Sequence, residues 1–215
     1  DHLLVASLPG ELLMSEPTLD TGVRVVKNVG SVNFGAGSLD SLRQHVDARR
    51  ACATAANEND RVVYLVDEFF FDRPETLDRL GSTSQDRIDF VPTTEEPKTD
   101  AIDERVADLI AAGFSAPATL VGVGGGITLD TTKAVANMLT NGGKAEDYQG
   151  WDLVRVPGRH KIGVPTISGT GSEATRTCIM TNIRSGLKLG MNSDHTVFDH
   201  LILDPELTAT VPRDQ

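Results

Sequence analysis

The segment TLVGVGGGITLDTTKAVANMLT, residues 119–140, places an apolar run, three adjacent glycines and a helical pattern in direct succession. The apolar run before the glycines is typical of a strand that is buried on both faces of a sheet. Residues 128–140 predict a helix, which ends at residues 141–143, where Asn-Gly-Gly is a frequent stop. A buried strand that passes through a glycine turn into a helix is a unit of parallel α/β sheets.

Strands and helices alternate along the rest of the chain as well, and this order predicts an α/β fold with a doubly wound, Rossmann-like parallel sheet and flanking helices. Residues 23–34 contain two short alternating stretches joined at residues 28–30, which predict an N-terminal β-hairpin. Further strands are predicted at 61–70, 87–91 and 161–165. Further helices are predicted at 74–80 and 99–112, and another is predicted to start near residue 38.

Composition excludes several classes of partner. The chain has 215 residues, 39% of them hydrophobic, and a net charge of −11, which repels nucleic acid phosphates and anionic lipids. No apolar run approaches the roughly 18 residues of a membrane span. Cys52 and Cys178 are far apart and outside any CxxC pair, so we expect neither a disulfide framework nor a thiolate zinc site. We expect both thiols to be buried and the protein to be cytoplasmic.

Gly124, Gly125 and Gly126 occupy the edge at which a parallel sheet binds its ligands. Without Cβ atoms, their backbone can approach a diphosphate, and the following helix offers free N–H groups and the positive end of its dipole. Three glycines also make a serviceable turn between strand and helix, and their spacing is not that of GxGxxG. The motif alone therefore supports a phosphate cradle and a simple turn equally.

A second glycine-rich loop, VPTISGTGSEAT at residues 164–175, follows the predicted strand 161–165. The hydroxyls of Thr166, Ser168 and Thr170 suit phosphate and ribose oxygens. The alternative is a cluster of helix caps, with Thr170 or Ser172 as the capping residue. Two such loops at the ends of two strands favour a shared nucleotide site.

Asp67 closes the predicted strand in VVYLVD. A carboxylate at this place can accept both hydroxyls of an adenosine ribose and would repel a 2′-phosphate, which favours NAD over NADP. The alternative is a solvated residue of an acidic turn, since Glu68 and Asp72 lie nearby. Both interpretations stay open.

Four motifs together resemble the iron-containing, group III alcohol dehydrogenases, relatives of dehydroquinate synthase and glycerol dehydrogenase. They are GGGITLDTTK (124–133), PTISGTGSE (165–173), the lysine of LKLG (Lys188) and ILDPELT (202–208), in that order and spacing. Longer stretches, among them NVGSVNFGAGS, MLTNGGKAEDYQGWDL and GMNSDHTVFDHLILDPEL, are similar to one branch. That branch oxidises the terminal C8 hydroxyl of 3-deoxy-manno-octulosonate.

Residues 1–20 are a mixed apolar and acidic stretch with turn formers, which we expect to be an N-terminal arm. The resemblance implies that residues 21–215 are a nucleotide-binding domain that binds NAD(H). It implies oxidation of a primary hydroxyl of a polyol or sugar acid to an aldehyde, with a divalent metal, iron or zinc, in a dimeric enzyme. The family's metal ligands lie in a helical domain, so we expect none in this chain and look for them beyond Gln215 or in a second chain. The resemblance implies that the cofactor diphosphate contacts Gly124, Gly125 and Gly126 and that the adenosine ribose contacts Asp67. It implies that the nicotinamide side contacts Thr166, Thr170 and Lys188, and Ser168 lies in the same loop as the two threonines.

Three residues of the glycine motif need separate comment. Ile127 stands where the family usually has Ser, which removes a hydroxyl near the phosphate and puts the affinity or pose of the cofactor in question. Asp130 and Lys133 match the Asp-x-x-Lys of the family and are candidates for a catalytic role. Their alternatives are a carboxylate favoured by the helix dipole and a solvated helix lysine.

Histidines and the tryptophan have simpler interpretations. His195 and His200, with Asp194 and Asp199, form the only local cluster of histidine and carboxylate, but their five-residue spacing separates the two rings on a strand or a helix. We expect a structural or substrate-facing role for this cluster rather than a metal site. His2, His45 and His160 are expected on the surface, and Trp151 is expected to anchor its loop on the core.

Two other functions remain open. The first is a catalytically silent module that binds a nucleotide or acts as a scaffold. The second is a cyclase similar to dehydroquinate synthase, which ranks low because PTISGTGSE offers few charged groups for that chemistry.

Overall fold

The computed structural model describes residues 27–209 and residue 211. Its helices are α1 (Leu42–Ala55), α2 (Pro74–Arg79), α3 (Thr99–Ala111) and α4 (Gly126–Asn141). Its strands are β1 (Ser31–Phe34), β2 (Val62–Asp67), β3 (Arg87–Val91), β4 (Thr119–Gly124), β5 (Gly150–Trp151), β6 (Lys161–Pro165), β7 (Thr177–Thr181), β8 (Lys188–Asn192) and β9 (His200–Leu203). Short 3-10 turns connect several of these elements.

Six strands form one parallel sheet in the order β1-β9-β6-β4-β2-β3. This confirms the predicted parallel α/β fold. The strand β4 lies in the middle, between β2 and β6, and the register pairs Gly124 with Pro165. The carboxyl ends of three neighbouring strands therefore meet at one edge of the sheet.

The central strands are apolar throughout because both faces of the sheet are covered. All residues of β2, β4 and β6 are buried. Along β2, Val63 and Leu65 pack into a cluster with residues of α3 and α4, and Val62, Tyr64 and Val66 pack into a second cluster with α1. This alternation is the two-residue period of a strand and explains the continuous apolar runs in the sequence.

A second, three-stranded sheet in the order β5-β8-β7 packs against α4. Its strands β7 and β8 form an antiparallel hairpin, with Cys178 opposite Met191. The sequence pattern did not predict any of these three strands. They bring Lys188 and the residues around Thr177 close to the amino end of α4.

The predicted N-terminal β-hairpin falls only partly on described residues. Its first strand and the predicted arm, residues 1–20, lie outside them. Its second strand is β1, which pairs in parallel with β9 from Ser31↔His200 to Phe34↔Leu203 and forms an edge of the main sheet.

Several side chains differ from their predicted environments. Cys178 is buried as predicted, but Cys52 is exposed, because the buried residues of α1 lie on the face of Leu42, Val46 and Ala53. Trp151 is 71% exposed and does not anchor its loop, since it lies on the two-residue edge strand β5. Among the described residues, no helix has the length and apolar character that crossing a membrane requires.

The histidines expected on the surface also differ. His45 and His160 are both half-buried, and His2 lies outside the described residues. The ring of His45 stacks on that of His200 with 3.7 Å between ring centroids, and Nδ1 of His160 lies 2.8 Å from the hydroxyl of Thr119. Both histidines thus have defined neighbours inside the domain.

Candidate functional site

A cleft of about 510 Å³ opens at the carboxyl ends of the central strands. The glycine turn after β4 forms its floor, and residues from β2, from the loop after β6 and from β8 form its walls. The predicted cofactor residues that line it are Asp67, Gly125, Gly126, Ile127, Thr170 and Lys188. Residues distant in sequence are thus brought together at the edge where parallel sheets bind ligands.

Close packing leaves little room for a side chain at the three glycines. A Cβ atom on Gly125 would lie 2.5 Å from Cδ1 of Ile167, and one on Gly124 would lie 2.6 Å from the hydroxyl of Thr128. A Cβ atom on Gly126 would meet the side chain of Thr170 at 3.1 Å. Gly124 is therefore needed for the turn itself, whereas Gly125 and Gly126 leave bare backbone toward the cleft.

The first turn of α4 lacks a cap. The helix begins at Gly126, two residues earlier than predicted, and Gly125 at its N-cap position offers no side chain. The first N–H with a helical partner is that of Leu129, which donates to the carbonyl of Gly125 at 3.0 Å. The preceding N–H groups of the turn have no helical acceptor, and no described side chain caps them. Uncapped N–H groups at the positive end of a helix dipole are able to bind an anion.

One of the three hydroxyls predicted for the loop after β6 lines the cleft. Thr170 is exposed and lines it. Thr166 is buried and its N–H donates to the carbonyl of Gly124 at 3.1 Å, which joins the two loops. Ser168 is exposed but lines a neighbouring cavity near Phe34. The structure therefore brings Thr170 alone of the three predicted hydroxyls into the cleft.

The structure agrees only in part with the alternative interpretation, in which Thr170 or Ser172 caps a helix. The loop continues into a 3-10 turn, Ser172–Ala174, which Gly171 precedes without a side-chain cap. The hydroxyl of Thr170 accepts a hydrogen bond from the N–H of Ser172 at 3.3 Å. Thr170 thus supports the turn and faces the cleft at the same time.

Asp67 is not a solvated residue of an acidic turn, because only 8% of it is exposed. Its Oδ1 accepts hydrogen bonds from the N–H of Phe69 at 3.0 Å and from the hydroxyl of Thr93 at 3.4 Å. Its Oδ2 accepts none from the described residues. The carboxylate is therefore held in place through Oδ1, and Oδ2 has no donor among the described residues beside the glycine turn.

Lys188 brings positive charge to the opposite wall. It lies at the start of β8 and forms an ion pair with Glu96, which also lines the cleft. Both side chains are about half exposed. Solvent screens an ion pair of this kind and makes it weak, so Lys188 can exchange Glu96 for an anionic ligand at little cost.

Asp130 and Lys133 connect α4 to the loop between β6 and β7. The carboxylate of Asp130 accepts hydrogen bonds from the hydroxyl of Ser172 and, at 2.9 Å, from the N–H of Ile179. The Nζ of Lys133 donates to the carbonyls of Ser172 at 2.6 Å and Thr177 at 2.5 Å. These bonds fix the loop that forms one wall of the cleft.

Lys133 is fully buried, so its interpretation as a solvated helix lysine is wrong. Burial lowers the pKa of its ammonium, and the Asp130 carboxylate, 3.5 Å away, opposes that shift. Asp130 lines the cleft, but both of its oxygens are engaged by protein donors. The structure therefore supports a positioning role for the pair.

No metal site is assembled by the described residues, since no three histidine, cysteine or carboxylate side chains among them converge. Asp194 forms an ion pair with Arg176 at 3.0 Å. His200 is buried, its Nδ1 lies 2.6 Å from the hydroxyl of Ser31, and its ring contacts His45. Asp194 and His200 of the predicted cluster therefore have defined neighbours within the domain.

A protein-family model described as iron-containing alcohol dehydrogenase matches residues 30–205. The chain belongs to the iron-containing alcohol dehydrogenase family. The predicted family is thereby confirmed.

Proteins with similar sequences are named for several different activities. Sulfoacetaldehyde reductase of Bilophila wadsworthia is 39% identical over 117 residues, which are 54% of this chain and 30% of that protein. NAD-dependent methanol dehydrogenase of Bacillus methanolicus is 36% identical over 93 residues, which are 43% of this chain and 24% of that protein. The matched part is thus less than a third of either relative.

Solved structures show the same fold. A 1,3-propanediol oxidoreductase superposes with a TM-score of 0.74 at 20% identity, covering 87% of this chain and 47% of that one. Sulfoacetaldehyde reductase from Bifidobacterium kashiwanohense, solved in complex with NAD+, gives a TM-score of 0.67 at 23% identity and covers 88% and 48%. The chain spans about half the length of these structures. The prediction of NAD(H) and a divalent metal as cofactors agrees with the family description and with these names.

Proposed function

We propose that this chain is the NAD(H)-binding part of a metal-dependent alcohol dehydrogenase that interconverts a primary alcohol and an aldehyde. The observation that carries the proposal is the uncapped first turn of α4, which lies at the floor of the cleft between Asp67 and Lys188. Membership of the iron-containing alcohol dehydrogenase family supports it. The cleft volume of about 510 Å³ lies within the usual range for cofactor pockets.

The diphosphate is assigned to the glycine turn. The free N–H groups of Gly126 and Ile127 would donate to its oxygens, and the helix dipole would favour its negative charge. The side chain of Ile127 cannot donate, so these backbone groups carry the contact. Ile127 packs against the apolar cluster beside α4, which holds the first turn in place.

The adenosine ribose is assigned to Asp67. Its Oδ1 is held by Phe69 and Thr93, which leaves Oδ2 to accept the ribose hydroxyls. A 2′-phosphate at this position would meet a carboxylate of the same charge sign, so NAD(H) is favoured over NADP(H).

The nicotinamide side is assigned to Thr170 and Lys188. Asp130 and Lys133 would position Thr170 indirectly, because both bind residue Ser172 of the same loop. When bound, NAD+ supplies the acceptor for the hydride that leaves the carbinol carbon. Lys188 would hold the anionic part of the cofactor near the ring and release Glu96.

The metal does not fit the described residues, which assemble no cluster of ligands. We propose that the metal ligands belong to a helical domain beyond Gln215 or to a second chain, with the complete enzyme as a dimer.

For the substrate, we propose a polyol or sugar acid with a terminal primary hydroxyl, such as 3-deoxy-octulosonate. The support for this choice comes from residues 28–38, 138–153 and 190–207, whose sequences are similar to the branch that oxidises the C8 hydroxyl of 3-deoxy-manno-octulosonate. The test compares kcat/KM for octulosonate and for sulfoacetaldehyde in the metal-loaded assembly that contains this chain. A higher value for the sugar acid supports the proposal, and a higher value for sulfoacetaldehyde contradicts it.

The cofactor proposal is tested by calorimetric titration of the chain with ADP, NAD+ and NADP+, with amide chemical shifts as a second readout. We expect ADP and NAD+ to bind and NADP+ to bind at least about tenfold more weakly, which corresponds to ~1.4 kcal/mol. Absence of both heat and shift changes with ADP and NAD+ would refute the nucleotide site.

A second candidate is a nucleotide-binding module without turnover. The lack of a metal cluster among the described residues is the observation that favours it. If NAD+ binds but no metal-loaded partner chain or domain restores alcohol oxidation, this second function replaces the first.

A further inference from the structure

A second cavity, of about 320 Å³, lies at the opposite end of the sheet from the cleft. Ala118, which directly precedes β4, and His160, which directly precedes β6, both line it. Since parallel strands start at the same edge, the cavity belongs to the amino ends of the strands. We call it the amino-end pocket, and its polar lining consists of Arg49, Cys52, Glu58, Thr140, Arg159 and His160.

The side chains of two arginines of the amino-end pocket have no partner in the part of the chain that the structure describes. The Nε atoms of Arg49 and Arg159 are buried without an acceptor, and neither side chain forms an ion pair or hydrogen bond within the described residues. The neighbouring Arg50 shows the contrast, because its guanidinium binds the carboxylate of Asp86 at 2.5 Å. Buried polar groups in folded proteins are nearly always paired, and an unpaired one indicates a missing water or ion.

The charge of the amino-end pocket favours an anion. Burial lowers the pKa of His160 to about 4, and Asp199 opposes this shift while Arg49 and Lys161 reinforce it, so the ring is neutral at pH 7. Glu58 is the single carboxylate of the lining and is exposed. Two guanidinium groups against one carboxylate leave the lining with a positive charge, although the whole chain has a net charge of −11.

The loop that carries Arg159 is held in place. The N–H of Arg159 donates to the carbonyl of Ala136 at 2.9 Å. Asn141 at the end of α4 accepts from the N–H groups of Arg155 and Val156, each at 3.0 Å. Because the backbone on both sides of the pocket is fixed, a ligand would not have to order it on binding.

We propose that the amino-end pocket binds a small anion with a phosphate or carboxylate group, held between the guanidinium groups of Arg49 and Arg159. A planar guanidinium matches two oxygens of either group with two parallel hydrogen bonds. The volume of about 320 Å³ suits a small molecule. The site is separate from the proposed cofactor cleft, which lies at the carboxyl ends of the strands and uses backbone donors.

The test is a titration of the ¹⁵N-labelled chain with inorganic phosphate at constant ionic strength, followed by amide chemical shifts. We expect saturable shifts at Ala53, Gly158 and His160. The variants Arg49→Gln and Arg159→Gln should each weaken binding about tenfold, because each removes a charge-assisted pair. Citrate in place of phosphate distinguishes a carboxylate ligand from a phosphate ligand by which of the two binds more tightly.

The matched control is Arg155→Gln, since Arg155 is exposed in the same loop and does not line the pocket. Arg49→Lys keeps the charge but loses the fork and should give an intermediate affinity. Unchanged shifts in β2 show that each variant is folded. The proposal is wrong if neither anion shifts residues 158–160, or if Arg155→Gln weakens binding as much as the other two variants. Shifts confined to Gly126 and Ile127 would support the cofactor cleft and contradict this site.

Discussion

Two consecutive turns of α4 have opposite roles although they belong to one sequence motif. The first turn, Gly126–Leu129, has free N–H groups, no cap and no acidic residue. The second turn holds Asp130 and Lys133, whose polar atoms are bonded to the loop after β6. The difference shows that GGGITLDTTK combines a binding element, whose donors are unpaired, with a structural element, whose donors and acceptors are satisfied.

The comparison predicts that the second turn governs stability. Lys133→Met removes the ammonium donor to the carbonyls of Ser172 and Thr177, and the single hydroxyl proton of Thr175 can serve only one of the two at a time. The free energy of unfolding should therefore fall by about 3 kcal/mol. Urea denaturation followed by circular dichroism measures this loss. The control is Lys144→Met, at an exposed lysine paired with Asp103, which should change the free energy by less than about 0.5 kcal/mol. Equal losses in the two variants would contradict the structural role of Lys133.

The first turn, in contrast, should govern cofactor binding. Gly125→Ala adds a methyl group that meets the flexible end of Ile167, which can move, so the loss of stability should stay near 1 kcal/mol. Gly125 lines the cleft, so the added methyl group takes up space beside the bare backbone, and the Kd for NAD+ should rise about tenfold, or ~1.4 kcal/mol. Calorimetry measures the Kd. The double variant Gly125→Ala, Ile167→Ala relieves the clash and should recover stability but not affinity, whereas recovery of affinity would place the effect on Ile167.

Asp67 should set the choice of cofactor. Asp67→Asn keeps the size of the side chain but removes the charge that accepts the ribose hydroxyls, so NAD+ affinity should fall about fivefold, or ~1 kcal/mol, and NADP+ should lose less. Competition between the two cofactors in a fluorescence titration measures the ratio. Asp72→Asn is the matched control, because Asp72 is exposed in the same acidic segment. A similar change of the ratio in both variants would mean that net charge alone decides it.

The smallest change in cofactor affinity is expected at Ile127. Ile127→Ser restores a hydroxyl beside the free N–H groups and should lower the Kd for NAD+ about threefold, or ~0.6 kcal/mol. It also removes apolar contact with the cluster beside α4, so stability should fall by about 1–2 kcal/mol. Isothermal titration measures the Kd of this variant. The control is Ile110→Ser, the same substitution at an exposed residue of α3. An unchanged or higher Kd would show that backbone donors suffice.

The sheet was predictable where both of its faces are covered. The strands β2, β4 and β6 are continuous apolar runs, and the spacing in α3 shows its buried face directly. The pairing of β1 with β9 was not predictable, since it joins residues about 170 positions apart in sequence. The hairpin of β7 and β8 has a half-exposed, weakly alternating pattern that resembles loop sequence.

For the candidate site, the place of the glycine turn at the carboxyl edge of the sheet was predictable, because a buried strand precedes it and a helical pattern follows it. The burial of Lys133 could not be predicted, because its acceptors are backbone carbonyls of a loop 39 to 44 residues away. The exclusion of Thr166 and Ser168 from the cleft depends on how the loop after β6 turns, which the hydroxyl pattern does not show.

The separate role of the first turn is tested most directly by titration of the ¹⁵N-labelled chain with ADP. The account predicts the largest amide shifts at Gly126, Ile127 and Thr128, with further shifts at Asp67 and small ones at Lys133. Saturable binding of ADP without shifts in residues 126–128, or shifts that are largest around Lys133, would contradict the assignment of the diphosphate to the uncapped turn of α4.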